Sequence, residues 1–132
     1  TTIRIGIYDY DSLSTEISAS YMGLTSIQEL SGFTNLQSLV LEHNSISNIY
    51  VLSLMPQTLI NLDLSDNNIS DITPISYQQN IETLDLSNNS ISTLTPLYSL
   101  RNLRSLYING NNVTDDEIGL LQMQLPGCAI YY

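Results

Sequence analysis

The sequence predicts an α/β fold: a right-handed repeat solenoid with a parallel β-sheet on its concave face and irregular or short helical turns on its convex face. Three observations predict it. One pattern recurs in four units, whose starts lie 23, 22 and 22 residues apart. The units read LQSLVLEHNSISNI from Leu36, LINLDLSDNNISDI from Leu59, IETLDLSNNSISTL from Ile81 and LRSLYINGNNVTDD from Leu103. At positions 1, 4, 6, 9, 11 and 14 the pattern asks for aliphatic residues with Asn at position 9, and 23 of the 24 slots comply, Asp116 being the one miss. Finally, positions 4 and 6 flank a variable residue, the period of two that marks a strand with one face buried.

Each element follows in chain order. Ile3, Ile5 and Ile7 alternate with Thr2, Arg4 and Gly6, as in a half-buried strand. Residues 12–22 read either as a helix through Leu13, Ile17 and Tyr21 or as a decayed repeat through Ile17, Ala19 and Met22, and the helix is the reading taken. Leu24, Ile27, Leu30 and Phe33 form the back half of an earlier unit. In the full units Asn44, Asn67, Asn89 and Asn111 fall where the chain leaves the sheet. A carboxamide there can bond neighbouring backbone, so the four are expected to form a buried ladder. Pro74 and Pro96 favour extended or short helical turns on the return path. Asp115, Asp116 and Glu117 place negative charge at a helix start. Ile118, Leu121 and Leu125 follow at helical spacing before Pro126-Gly127 ends the helix and Cys128–Tyr132 form a last strand. The expected organisation is an N-terminal cap over 1–23, repeats over 24–114, and a capping helix and strand over 115–132. Stability should come from stacking of neighbouring units.

The pattern resembles the leucine-rich repeat family, and within it the short 22-residue, internalin-like class of bacterial surface proteins. Ile72-Thr73-Pro74-Ile75 and Leu94-Thr95-Pro96-Leu97 carry that class's phrasing, and the resemblance covers residues 24–130. It implies a non-enzymatic protein that binds partners through its concave sheet.

Composition narrows the partners. The chain of 132 residues has 13 acidic side chains against Arg4, Arg101 and Arg104, no lysine, and a net charge of −10. Such a surface cannot neutralise a phosphate backbone or an anionic membrane, so a charged partner should be basic or a metal cation. No apolar run reaches the roughly 18 residues of a transmembrane span, and the start at Thr1 fits a mature or trimmed product. The single Cys128 allows no internal disulfide. A lysine-free surface rich in Ser, Thr and Asn suggests an extracellular or cell-surface setting.

The candidate binding face comprises Glu42, Asp63, Glu82, Asp85, Arg104 and Tyr107. Position 5 of successive units reads Val40, Asp63, Asp85, Tyr107, Ala129, with Tyr107 beside Arg104 as the anchor, on a platform of five strands. Calcium could sit on an acidic strip of this kind, but too few further oxygen ligands can be placed, so neither a metal nor a cofactor is assigned. His43, the only histidine, reads as a solvated surface residue without a catalytic partner. Asn68, Asn88 and Asn112 head Asn-x-Ser/Thr sequons whose use depends on a secretory pathway. The chain ends, Ile3, Ile5, Ile7 and Tyr8 at one side and Ile130, Tyr131 and Tyr132 at the other, are strand-forming and either fold back as caps or receive another copy. Three functions follow in order: a secreted or surface interaction module, a subunit assembling head-to-tail into an extracellular filament, and a cytosolic regulatory subunit.

Overall fold

The computed structural model describes residues 1–132. An antiparallel hairpin, β1 (Thr2–Ile5) and β2 (Tyr8–Asp11), precedes a six-stranded parallel sheet. Its strands stack in chain order: β3 (Glu16–Ser18), β4 (Ser38–Val40), β5 (Asn61–Asp63), β6 (Thr83–Asp85), β7 (Ser105–Tyr107) and β8 (Ala129–Tyr131). Short 3₁₀ turns at Gln28–Gly32, Tyr50–Ser53, Thr73–Tyr77 and Thr95–Leu97 carry the chain back, and one α-helix, α1 (Asp115–Gln124), makes the last return.

Residues 12–22 are not helical. They hold β3, so the sheet has six strands and begins inside the segment expected to be only a cap. Ile17 and Ala19 are buried while Leu13 and Tyr21 point to solvent, so period two prevails over the helical period. The ladder position of this first coil is held by Met22, whose backbone N–H donates to Asn44 Oδ1 at 3.0 Å. A glycine, Gly6, turns the hairpin at φ +64°, and a Cβ there would lie 2.6 Å from Met22 Sδ. The hairpin thereby closes over the coil whose carboxamide is missing. Ile5 is buried and Ile3 packs against the core, whereas Ile7, expected to continue this strand, lies in the two-residue turn with Gly6 and is 70% exposed.

The register repeats without slip from β4 to β7, where Leu39, Leu62, Leu84 and Leu106 pair in turn. With the other aliphatic positions they form one core cluster of 34 buried residues. The four asparagines form the expected ladder. Asn67 Nδ2 donates to Leu64 O in its own coil and to Leu41 O in the coil before, while its Oδ1 accepts from Ile46 N–H. Asn44, Asn89 and Asn111 repeat this geometry half-buried, and Asn67 is fully buried. A second ladder went unread in the sequence: Thr58, Asn80 and Asn102, each just before a unit start, donate to Leu36 O, Gln57 O and Gln79 O one coil back.

Between strand and ladder residue each coil takes one left-handed step, at Tyr21, His43, Asp66, Asn88 and Gly110. Asn and Asp tolerate this region better than other residues carrying a Cβ. At Gly110 a Cβ would meet Asn88 Oδ1 at 2.1 Å. Replacing Asn67 with Ala strands several buried backbone groups and should cost about 3 kcal/mol. The Gly110→Ala change adds left-handed strain to that overlap and should cost about 1–2 kcal/mol. Urea unfolding followed by circular dichroism checks both, and a loss below about 0.5 kcal/mol for Asn67→Ala would contradict the ladder's role.

Candidate binding face

Each strand turns its middle residue into the core and its flanking residues onto the concave face. One exposed column reads Glu16, Ser38, Asn61, Thr83, Ser105, Ala129, and the other reads Ser18, Val40, Asp63, Asp85, Tyr107, Tyr131. The sequence reading put Ala129 at the end of the second column, and the structure corrects this to Tyr131. The last return is a helix, which rises about 1.5 Å per residue against about 3.3 Å in extended chain, so it consumes more residues to cover the same distance. Two extra residues enter there and shift β8 by one full alternation.

Asp63 and Asp85 are direct register partners, on strands about 4.8 Å apart. Each commits one oxygen locally. Asp63 Oδ1 accepts from Ser65 N–H at 3.0 Å and Ser65 Oγ at 2.6 Å, and Asp85 Oδ1 does the same with Ser87. Those serines are buried, so the carboxylates are held in place, and their Oδ2 atoms bond no group of the chain. Beside them Tyr107 stacks on Tyr131, with ring centroids 4.6 Å apart and planes 12° from parallel. Tyr107 therefore partners Tyr131 rather than Arg104. The Arg104 side chain, 79% exposed, lies 3.9 Å from Glu82 Oε1, an ion pair of little energetic weight in water.

Glu42 stands after β4, half-exposed, and its carbonyl accepts from Asn44 Nδ2. His43 is exposed and its ring stacks on Tyr21 with centroids 4.4 Å apart. No three His, Cys, Asp or Glu side chains converge as a metal site. Asn68, Asn88 and Asn112 are exposed on the turns after the sheet. Burial raises the Cys128 thiol above its ordinary pKa. At Asp71, the N–H of Thr73 and then its hydroxyl hold the carboxyl below its ordinary value, which anchors the start of the Thr73–Tyr77 turn. No helix is long and apolar enough to cross a membrane.

The two ends differ. At the first, Tyr10 Oη donates to Ser18 O at 2.9 Å and so occupies part of the β3 edge. At the other, Ala129 N–H donates to Arg104 O and Tyr131 C=O accepts from Ile108 N–H, the residues flanking β7, so the intervening Ile130 backbone groups face outward with no strand beyond them.

A family profile described as leucine rich repeat matches residues 57–113. An internalin of Listeria monocytogenes superposes with a TM-score of 0.80 at 29% identity, covering 89% of this chain and 34% of the other. The chain has the fold of a leucine-rich repeat solenoid. A leucine-rich repeat protein of Leptospira interrogans gives a TM-score of 0.80 at 26% identity, covering 89% of this chain and 31% of its own. Internalin C2 of Listeria monocytogenes gives 0.74 at 29% identity, covering 86% and 50%. The repeat chain thus spans one third to one half of these structures. No curated protein sequence matches it.

The tyrosine stack generates a measurable coupling. A double-mutant cycle over Tyr107→Ala and Tyr131→Ala should return an interaction of about 1 kcal/mol, because aromatic pairs gain roughly that beyond burial. Additive single effects would show the rings to be mere neighbours.

Proposed function

We propose that this leucine-rich repeat solenoid is a non-enzymatic interaction module that binds a protein partner through its concave face, in an extracellular or cell-surface setting. The observation that carries the reading is the second concave column. It sets two fixed carboxylates with free Oδ2 atoms beside a flat pair of tyrosine rings on one rigid sheet. Such a surface offers charge to a basic side chain and aromatic area to an apolar or cationic one. The partner class is therefore a protein presenting Arg or Lys next to an apolar contact, and the six strands give it a platform about 24 Å long. Internalin-like surface proteins, to which the chain is similar at 29% identity, support the setting.

Affinity capture from an extract of the source organism tests this. The triple variant Asp63→Asn, Asp85→Asn, Tyr107→Ala should lose the captured protein while its circular dichroism spectrum stays that of the folded wild type, the lost tyrosine stack lowering the melting temperature by only a few degrees. The convex-face variant Tyr50→Ala should retain it. Equal capture by all three proteins would refute the concave-face reading.

One observation favours a second reading, head-to-tail self-assembly. Of the 12 exposed large apolar residues, Ile7, Tyr8, Leu13 and Tyr21 lie near the first end and Leu120, Met123, Tyr131 and Tyr132 near the last. Contacts between two such different surfaces do not close and would propagate as fibres. Negative-stain microscopy and sedimentation across a concentration series should then show filaments that the Ile130→Pro change shortens. Single particles at every concentration would exclude assembly.

A further inference from the structure

Two of the three cationic side chains of this acidic protein share one pocket. It lies where the chain enters β7 and β8, has a volume of about 280 Å³, and is rimmed by Arg101, Asn102, Arg104, Gln124 and Gly127. No Asp or Glu lines it, although the chain carries 13 of them.

The rim is rich in unspent donors. Arg101 enters no ion pair within the chain, and Arg104 meets only Glu82, at the 3.9 Å already noted. By contrast, Arg4 is fully engaged, with both Nε and Nη2 on the Asp9 carboxylate. The backbone N–H groups of Asn102 and Gly127 donate to no acceptor in the protein, and neither does the Gln124 carboxamide. Asn102 spends its side chain on Gln79 O, which fixes the segment between the two arginines. Leu103 and Leu125, both buried, supply an apolar floor beneath these donors.

We propose that this pocket binds an oxyanion, a carboxylate or phosphate group, through the guanidinium groups of Arg101 and Arg104 and the N–H of Gly127. Guanidinium forks match such groups in geometry, and charge-assisted bonds are stronger than neutral ones. The volume lies below the range of drug-sized sites and suits one small anionic group. The net charge of −10 opposes anions at long range, so binding here requires a local cause. The pocket does not depend on the concave-face reading, since a free anion can test it without any partner.

The experiment is a ¹⁵N NMR titration of the whole chain with sodium phosphate and with sodium acetate, ionic strength being held constant with chloride. Saturable shifts at the Asn102 and Gly127 amides are expected. The Arg101→Gln variant should weaken binding about tenfold, the loss of roughly one charge-assisted hydrogen bond. A Gln124→Glu variant should weaken it comparably with both arginines intact, which separates a binding effect from misfolding. A peptide ending in Asp-Glu that binds about tenfold tighter than acetate would assign the anion to a partner chain, and equal affinity would assign a free anion; both support the pocket. Shifts that stay linear without saturation, or that are unchanged in Arg101→Gln and Gln124→Glu, overturn it.

Discussion

Four successive coils of this protein are each fastened to the one before by an asparagine carboxamide at the sheet's exit. An asparagine at the sheet's exit donates to carbonyls of two successive coils and accepts from the next N–H along the earlier one, so one side chain satisfies backbone groups that no strand can reach. Chain leaving a parallel sheet would otherwise bury unpaired amides, and that is costly. The ladder thus permits the tight bend, the bend sets the coil length near 22 residues, and the coil length aligns the leucines into one core. Asparagine is suited to the task because it is a donor and an acceptor on a short stem; aspartate at neutral pH would lack the donors.

The same constraint explains the ends. Where Met22 replaces the asparagine, the first coil cannot fasten anything before it, and the chain switches to an antiparallel hairpin that packs on Met22 and lends a tyrosine hydroxyl to the sheet edge. At the far side the return is helical, capped by the Thr114 hydroxyl accepting from Glu117 N–H, with Glu117 itself reaching Leu94 N–H on the previous turn. That helix covers the core beneath β8 and leaves the β8 edge itself without a strand beyond it. One terminus is closed by a separate structure, and the other ends the stack as an unpaired strand. This asymmetry is what the self-assembly reading draws on.

The concave face combines rigidity with open valence. Its carboxylates are pinned by the serines two residues further along the chain and its tyrosines pin each other, so little side-chain entropy remains to be lost on contact. Repulsion between Asp63 and Asp85 is tolerated because both face water, and an incoming cation would relieve it. The arginine pocket lies at the strand entries beside this face, so charges of both signs stand within one small surface.

Most of the architecture was legible in the residues, since a strict period places aliphatic side chains and asparagines in columns whatever the neighbours do. The strands β4 to β8, the ladder, the 3₁₀ returns near Pro74 and Pro96, the last helix and the acidic pair Asp63 and Asp85 all follow from local pattern. Tertiary structure alone decided what depends on register between distant segments. Residues 12–22 join the sheet because β4 offers an open edge, a force stronger than a weak helical period. Tyr131 rather than Ala129 faces Tyr107 because the helical return lengthens the last coil. Arg101 meets Gly127 across a pocket because strand entries of successive coils lie side by side. Periodicity is a property of the chain taken residue by residue, whereas register is settled only when edges, caps and returns compete for the same space.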